Sequence, residues 1–324
     1  MKQHIWCANK MVGAGNIPGA CDQDRIFVEN FENFGPKSNK FVSSRGLLYS
    51  CDWYSFSPSS SITKLHDYPP FSNHNLRKHP IIYVCSTAIL HFIQLLPQID
   101  TDFVLVSGDS DATIPDDLGT VRGALEQLLS NKYLKHWFCQ NMTLTHDKIT
   151  RLPIGLDYHT LEKHALWGSI TSAKKQEEML ISVRNTMRPF WERKIMCYAN
   201  YHFAMTPDRK DAEQSIAKSI VYYEPTKIER FDTWKKQIQF AFVISPHGEG
   251  LDCHRTWEAL CLGCIPIVKT SKIDKLYDEL PVLIVNEWKD VNAEFLKETV
   301  NTFRNKKFNM EKLTLKYWTD KFKL

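Results

Sequence analysis

The chain has 324 residues, with 43% hydrophobic and 24% charged side chains, the balance of a water-exposed globular protein with room for two domains of ordinary size. A formal net charge of +4 suits an anionic small ligand and does not call for nucleic acid, and no run of about 18 apolar residues is present to cross a bilayer. Nine scattered cysteines, an odd number, suggest a reducing compartment; with no apolar stretch in Met1–Ala20, the expectation is a cytoplasmic chain without signal peptide or membrane anchor.

Residues 1–77 show little periodicity. Gly13–Gly19 (GAGNIPG) lacks both a preceding strand and the spacing of a dinucleotide fingerprint, and reads as a loop. Phe27–Phe34 and Leu47–Tyr54 are candidate strand or short helix pieces, and Asp52-Trp53-Tyr54 could meet an acceptor or form a buried aromatic pair. Ser55–Asn75, rich in Ser, Pro and His, reads as a long loop. From Pro80 the pattern sharpens: Ile81–Cys85 is a strand, Ser86 begins a helix to about Leu96, and Asp102–Val106 is a second strand. It runs into Asp109-Ser110-Asp111. A helix is expected over Gly119–Leu129, with strands at His136–Cys139 and Ile149–Ile154. Asn141-Met142-Thr143 has the glycosylation spacing. The alternation argues a Rossmann-like half.

Gly155–Lys175 reads as the join, with Asp157 and His159 in it. A second α/β series is expected: a strand at Met179–Val183, Arg184 and Arg188 in the loop after it, a helix from Pro189 to about Tyr198, a helix over Asp208–Lys218, a strand at Ile220–Tyr223 and a helix over Lys227–Ile238. A short helix at Lys272–Tyr277, a strand at Val282–Val285 and a helix at Val291–Arg304 follow. The tail, residues 306–324, is amphipathic and basic, and is expected to pack rather than to lie on a membrane.

The most informative stretch is Phe240–Lys269, FAFVISPHGEGLDCHRTWEALCLGCIPIVK. The apolar run Phe240–Ile244 suits a buried parallel strand. Ser245, Pro246, His247, Gly248, Glu249 and Gly250 form a turn in which backbone can approach a ligand. Asp252 is a candidate N-cap for a helix over Cys253–Leu262, with Gly263 ending it. A helix start carries partial positive charge and unpaired N–H groups, and a preceding glycine loop lets a diphosphate come close. Arg255 could hold phosphate oxygens. Glu258, one turn on, could accept both hydroxyls of a ribose, although a plain surface Arg–Glu pair is the simpler reading. Cys261 and Cys264 have CxxC spacing with no second pair.

The same stretch resembles the donor-binding motif of exostosin-like glycosyltransferases, family 47 and its relatives, including members encoded by large algal viruses. The matching residues are Ser245, Pro246, Gly248, Arg255, Glu258, Ala259, Leu260, Gly263, Cys264, Ile265 and Pro266. The resemblance implies a GT-B fold, two Rossmann-like domains facing a central cleft: residues 1–160 for the acceptor, 161–305 for the nucleotide sugar, and 306–324 as a helix packing back on the first. It implies an inverting transfer from a UDP-sugar, with UDP-xylose as the first candidate, to a glycan hydroxyl, with no obligatory metal or other cofactor.

In that scheme Ser245, Pro246, His247, Gly248, Gly250, Asp252, Arg255 and Glu258 contact the donor, with Arg184 and Arg188 in support. The general base is sought first at Asp109 or Asp111, then at Asp157 or His159, with Asp252 a third candidate; His254, beside Arg255, is expected to be a packing or surface residue. Two other readings stay open: a metal-dependent GT-A transferase that uses Asp109 and Asp111 as a DxD motif, and a non-catalytic glycan-binding protein.

Overall fold

The computed structural model describes residues 39–54, 61–65, 79–119 and 122–323. The expected Gly13–Gly19 loop, the Phe27–Phe34 piece and most of the Ser55–Asn75 loop lie outside these residues. The chain is α/β, with two parallel sheets.

Helix α1 (Ser44–Tyr49) precedes strand β1 (Ile81–Cys85), helix α2 (Ile89–Leu95), strand β2 (Phe103–Gly108), helix α3 (Arg122–Leu129), strand β3 (Leu134–Gln140) and strand β4 (Ile149–Leu152). The first sheet has the order β1-β2-β3-β4. Strand β2 is buried along its whole length. Its alternate residues serve two cores: Phe103 and Leu105 pack with Phe92 and Leu128, while Val104 and Val106 join Phe41, Leu47 and Phe138. Burial on both faces is why β2 reads as a continuous apolar run.

Helices α4 (His159–Lys163) and α5 (Ala173–Arg184) lead into the second half. It contains strand β5 (Lys194–Ala199), helix α6 (Pro207–Ser215), strand β6 (Val221–Tyr223), helix α7 (Arg230–Gln237), strand β7 (Phe240–Ile244), helix α8 (His254–Cys261), strand β8 (Ile265–Lys269), strand β9 (Leu283–Val285) and helix α9 (Ala293–Arg304). The sheet order is β6-β5-β7-β8-β9. The winding reverses between β5 and β7. Such a reversal opens a crevice beyond the carboxyl ends of the strands, where ligands of open α/β sheets gather.

Helix α10 (Leu315–Lys321) ends the chain's elements. The segment does pack back on the first sheet: Val42 N–H donates to the Leu313 carbonyl at 2.9 Å, and the Phe322 and Phe138 rings lie 4.9 Å apart. Among the described residues no helix is long and apolar enough to cross a membrane.

Two expectations are corrected. Met179–Val183 is not a strand but the last part of α5. Its buried positions, Ala173, Gln176, Glu177, Leu180 and Val183, follow helical spacing. Two of them are polar, and both are bonded: Glu177 accepts the Lys40 and Phe41 N–H groups at 2.9 and 3.0 Å. Pro189–Tyr198 is not a helix either; a single short turn at Phe190–Glu192 leads into β5.

A candidate nucleotide-sugar cleft

A cleft of about 400 Å³ lies at the β5/β7 reversal. Its walls come from the segments after β5 (Asn200, Tyr201, Phe203, Ala204), after β6 (Glu224, Lys227, Ile228) and after β7 (Gly248 to Gly250, Asp252 to Arg255, then Glu258), with Arg209 on α6 and Arg230 and Thr233 on α7. The first half supplies Asp111, Ile154 and Asp157. The connection between the halves adds Leu166 and Trp167.

The loop after β7 is tied to the first half by three hydrogen bonds. Asp252 N–H donates to Asn141 Oδ1 at 2.9 Å, Ile154 N–H donates to Asp252 Oδ2 at 2.7 Å, and His254 Nδ1 meets the Gly155 carbonyl at 2.7 Å. Gly250 is needed for this contact: a Cβ there would stand 2.8 Å from the Asp111 carbonyl oxygen and 2.9 Å from Asn141 Nδ2. Gly248 faces Arg209, whose Nη2 would be 3.1 Å from a Cβ. Both glycines line the cleft, but Gly248 packs against the Arg209 cation and Gly250 against the seam between the halves.

Asp252 is not the N-cap. That position is Cys253, which makes no side-chain cap. The buried Asp252 carboxylate instead accepts from Trp257 Nε1 at 2.9 Å and Tyr277 Oη–H at 3.0 Å besides Ile154. Burial raises its pKa, and these donors oppose the rise. With that carboxylate turned inward, the first turn of α8 keeps its partial positive charge for the cleft.

Arg255 is the second residue of α8. Its Nε donates to Asn200 Oδ1 at 3.4 Å, and its guanidinium lies 5.8 Å from the Tyr201 ring centre. Its Nη1 is buried with no partner among the described residues, as is Nε of Arg209. Burial lowers the Arg255 pKa, and the nearby Arg209 lowers it further. Both arginines line the cleft, and two guanidinium charges around one space suit an anionic ligand.

Glu258 lies one turn further along α8. Its Oε1 is 3.6 Å from Arg230 Nε, with the side chain 14% exposed. Arg230 also reaches back to the first half. It donates to the Asp157 carbonyl and pairs with Asp157 Oδ2 at 3.5 Å, and it stacks on the Trp167 ring at 4.6 Å. Asp157 Oδ1 accepts from Thr160 N–H at 3.0 Å and lies 3.1 Å from His159 Nδ1. Burial alone would raise the Asp157 pKa; His254, His159 and Arg230 outweigh it and hold the carboxyl well below the usual carboxylate range.

Several expected residues are not brought to this cleft. Arg184 belongs to α5 and donates to the Cys261 carbonyl, with its guanidinium over Phe41. The Arg188 carbonyl accepts from Arg193 Nε at 2.7 Å in the turn beyond. Because Met179–Val183 is helical, both arginines lie off the strand ends. Ser245 is buried against Thr256, Oγ to Oγ1 2.8 Å, and neither Ser245, Pro246 nor His247 lines the cleft. The His247 backbone N–H donates to Asp208 Oδ2 at 2.8 Å, and its ring Nδ1 lies 2.7 Å from the Leu251 carbonyl. These residues shape the loop.

Asp109 and Asp111 separate. Asp109, with a φ of 61°, is buried and pairs with Arg45 at 2.9 Å, whereas Asp111 is an exposed residue at the cleft rim. They do not present two open carboxylates to one ion. Asn141 is buried, with its side-chain amide facing the Ser110 carbonyl, so the folded chain offers no glycosylation acceptor there.

Sequence reading missed Arg209, Arg230, Tyr201, Trp167 and Lys227. A basic residue at the start of each helix that follows β5 and β6 was the available signal. No family model matches the chain, and no curated protein matches it.

Proposed function

We propose that this protein is an exostosin-like glycosyltransferase of GT-B type that binds a nucleoside diphosphate sugar, UDP-xylose being the first candidate, and transfers the sugar with inversion to a glycan hydroxyl. One observation carries the reading: Arg255 and Arg209 line one cleft with the start of α8, and Glu258 lines it one turn away on the same helix. The diphosphate sits at the two arginines, the ribose hydroxyls meet Glu258, and the sugar points toward Asp111 and Asp157 of the first half. As the bond to the sugar breaks, the same arginines stabilise the charge that gathers on the departing diphosphate, the role a metal plays elsewhere. The resemblance of residues 240–269 to donor-binding motifs supports the same placement.

Arg255→Ala removes charge-assisted bonds, each of about 1.5–3 kcal/mol. Titration calorimetry with UDP is expected to show about 10- to 100-fold weaker binding, and Glu258→Ala a comparable loss. Unchanged affinity in both variants would contradict the placement. A non-catalytic protein would bind glycan with no UDP heat, and a metal-dependent one would lose UDP binding in EDTA.

A further inference from the structure

We propose that His254 is the general base of the transfer, accepting the proton of the acceptor hydroxyl at Nε2. This rests on the glycosyl-transfer reading. A carbonyl oxygen only accepts, so the 2.7 Å bond to Gly155 requires that Nδ1 carry the hydrogen. The lone pair of the neutral ring is then on Nε2. The residue lines the cleft, and among the described residues Nε2 has no hydrogen-bond partner.

The Gly155 carbonyl is fixed in direction by a backbone φ of 66° and by contact with Val42 so close that a Cβ would clash. That φ favours glycine. The imidazole is therefore oriented by the first half of the chain while standing on the helix that carries Arg255.

Two of the carboxylates, Asp109 and Asp157, compete poorly for this task. Asp109 is paired with Arg45, and Asp157 with Arg230 and His159. Around the ring stand Asp157 and His159 from the first half, the rings of His159 and His254 being 6.2 Å apart. Asp252 and Arg255 flank it on its own turn.

In the step, the acceptor oxygen bonds to the anomeric carbon as the bond from that carbon to the diphosphate oxygen breaks. The bonding pair leaves on the diphosphate, held by Arg255 and Arg209, and the hydroxyl proton passes to Nε2.

The test uses the whole chain, UDP titration, and UDP release from a panel that includes UDP-glucose and UDP-xylose with water as acceptor. His254→Gln keeps a polar side chain of similar length, with its amide near the position of Nε2, but takes no proton. It is expected to bind UDP with wild-type affinity and to lose at least about 100-fold in turnover, the lower range for a lost acid–base group. His254→Ala should behave likewise and regain turnover when free imidazole is added. A purely structural histidine would give neither the split between binding and turnover nor the rescue. If His254→Gln keeps turnover within about fivefold of wild type, the base lies elsewhere and the donor site stands. A wild-type chain that releases UDP from no sugar of the panel overturns the transfer reading, and the base with it.

Discussion

Asp252 and Arg255, three positions apart, show how little residue type says about a side chain's task. Both are charged and both lie at the start of one helix. The acid is turned inward, where it meets Ile154, Trp257 and Tyr277; the cation keeps an unmet buried donor. Helix position predicted that Arg255 and Glu258 share a face, and both do line the cleft. It could not predict that the Asp252 carboxylate would be drawn to Ile154 of the opposite half as well as to Trp257 and Tyr277 of its own. Another buried acid yields a prediction. Burial pushes Glu162 up to about 7. Its folded form then keeps a proton that the unfolded chain releases above the ordinary value of 4.5. The resulting stability is present below that value and is lost as pH rises through 7. Glu162→Gln is thus expected to raise the melting temperature at pH 8 and to leave it nearly unchanged at pH 5. An equal shift at both pH values would contradict the assignment.

At the scale of the element, strands buried on both faces were legible because they are unbroken apolar runs. Strands β1 and β7 agree with their expected bounds, and β2 and β3 agree to within a few residues. Helix α5 was not legible because Gln176 and Glu177 occupy its buried face. Two polar residues hide a 3.6-residue period, and the apolar remainder, Met179–Val183, then resembles a strand. The arginines of the cleft were hidden for a different reason: Arg209 and Arg230 meet Arg255 and Glu258 only after the second sheet has wound. The glycine loop was recognised, but its chemistry divides, with Gly248 beside the cations and Gly250 against the other half. Gly250→Ala would push the α8 loop away from Asp111 and Asn141. The expected outcome is lower stability, by about 1–3 kcal/mol as for an overpacked contact, measured by urea denaturation, with weaker UDP binding. Wild-type values for both would show that the seam gives way freely.

At the scale of the whole molecule, two parallel sheets turn their carboxyl ends toward one cleft. Among the described residues, only the second has the reversed order that opens a crevice. The first sheet contributes walls, the Gly155 carbonyl and the Asp157 ion pair, and the C-terminal segment covers its other face. Arg230 ties the halves by holding Asp157 and Glu258 together, so the two halves meet through one guanidinium. The most direct check is calorimetric titration of the intact chain with UDP in the presence of EDTA. The account predicts saturable binding of one UDP per chain. Absence of heat up to millimolar UDP would contradict it.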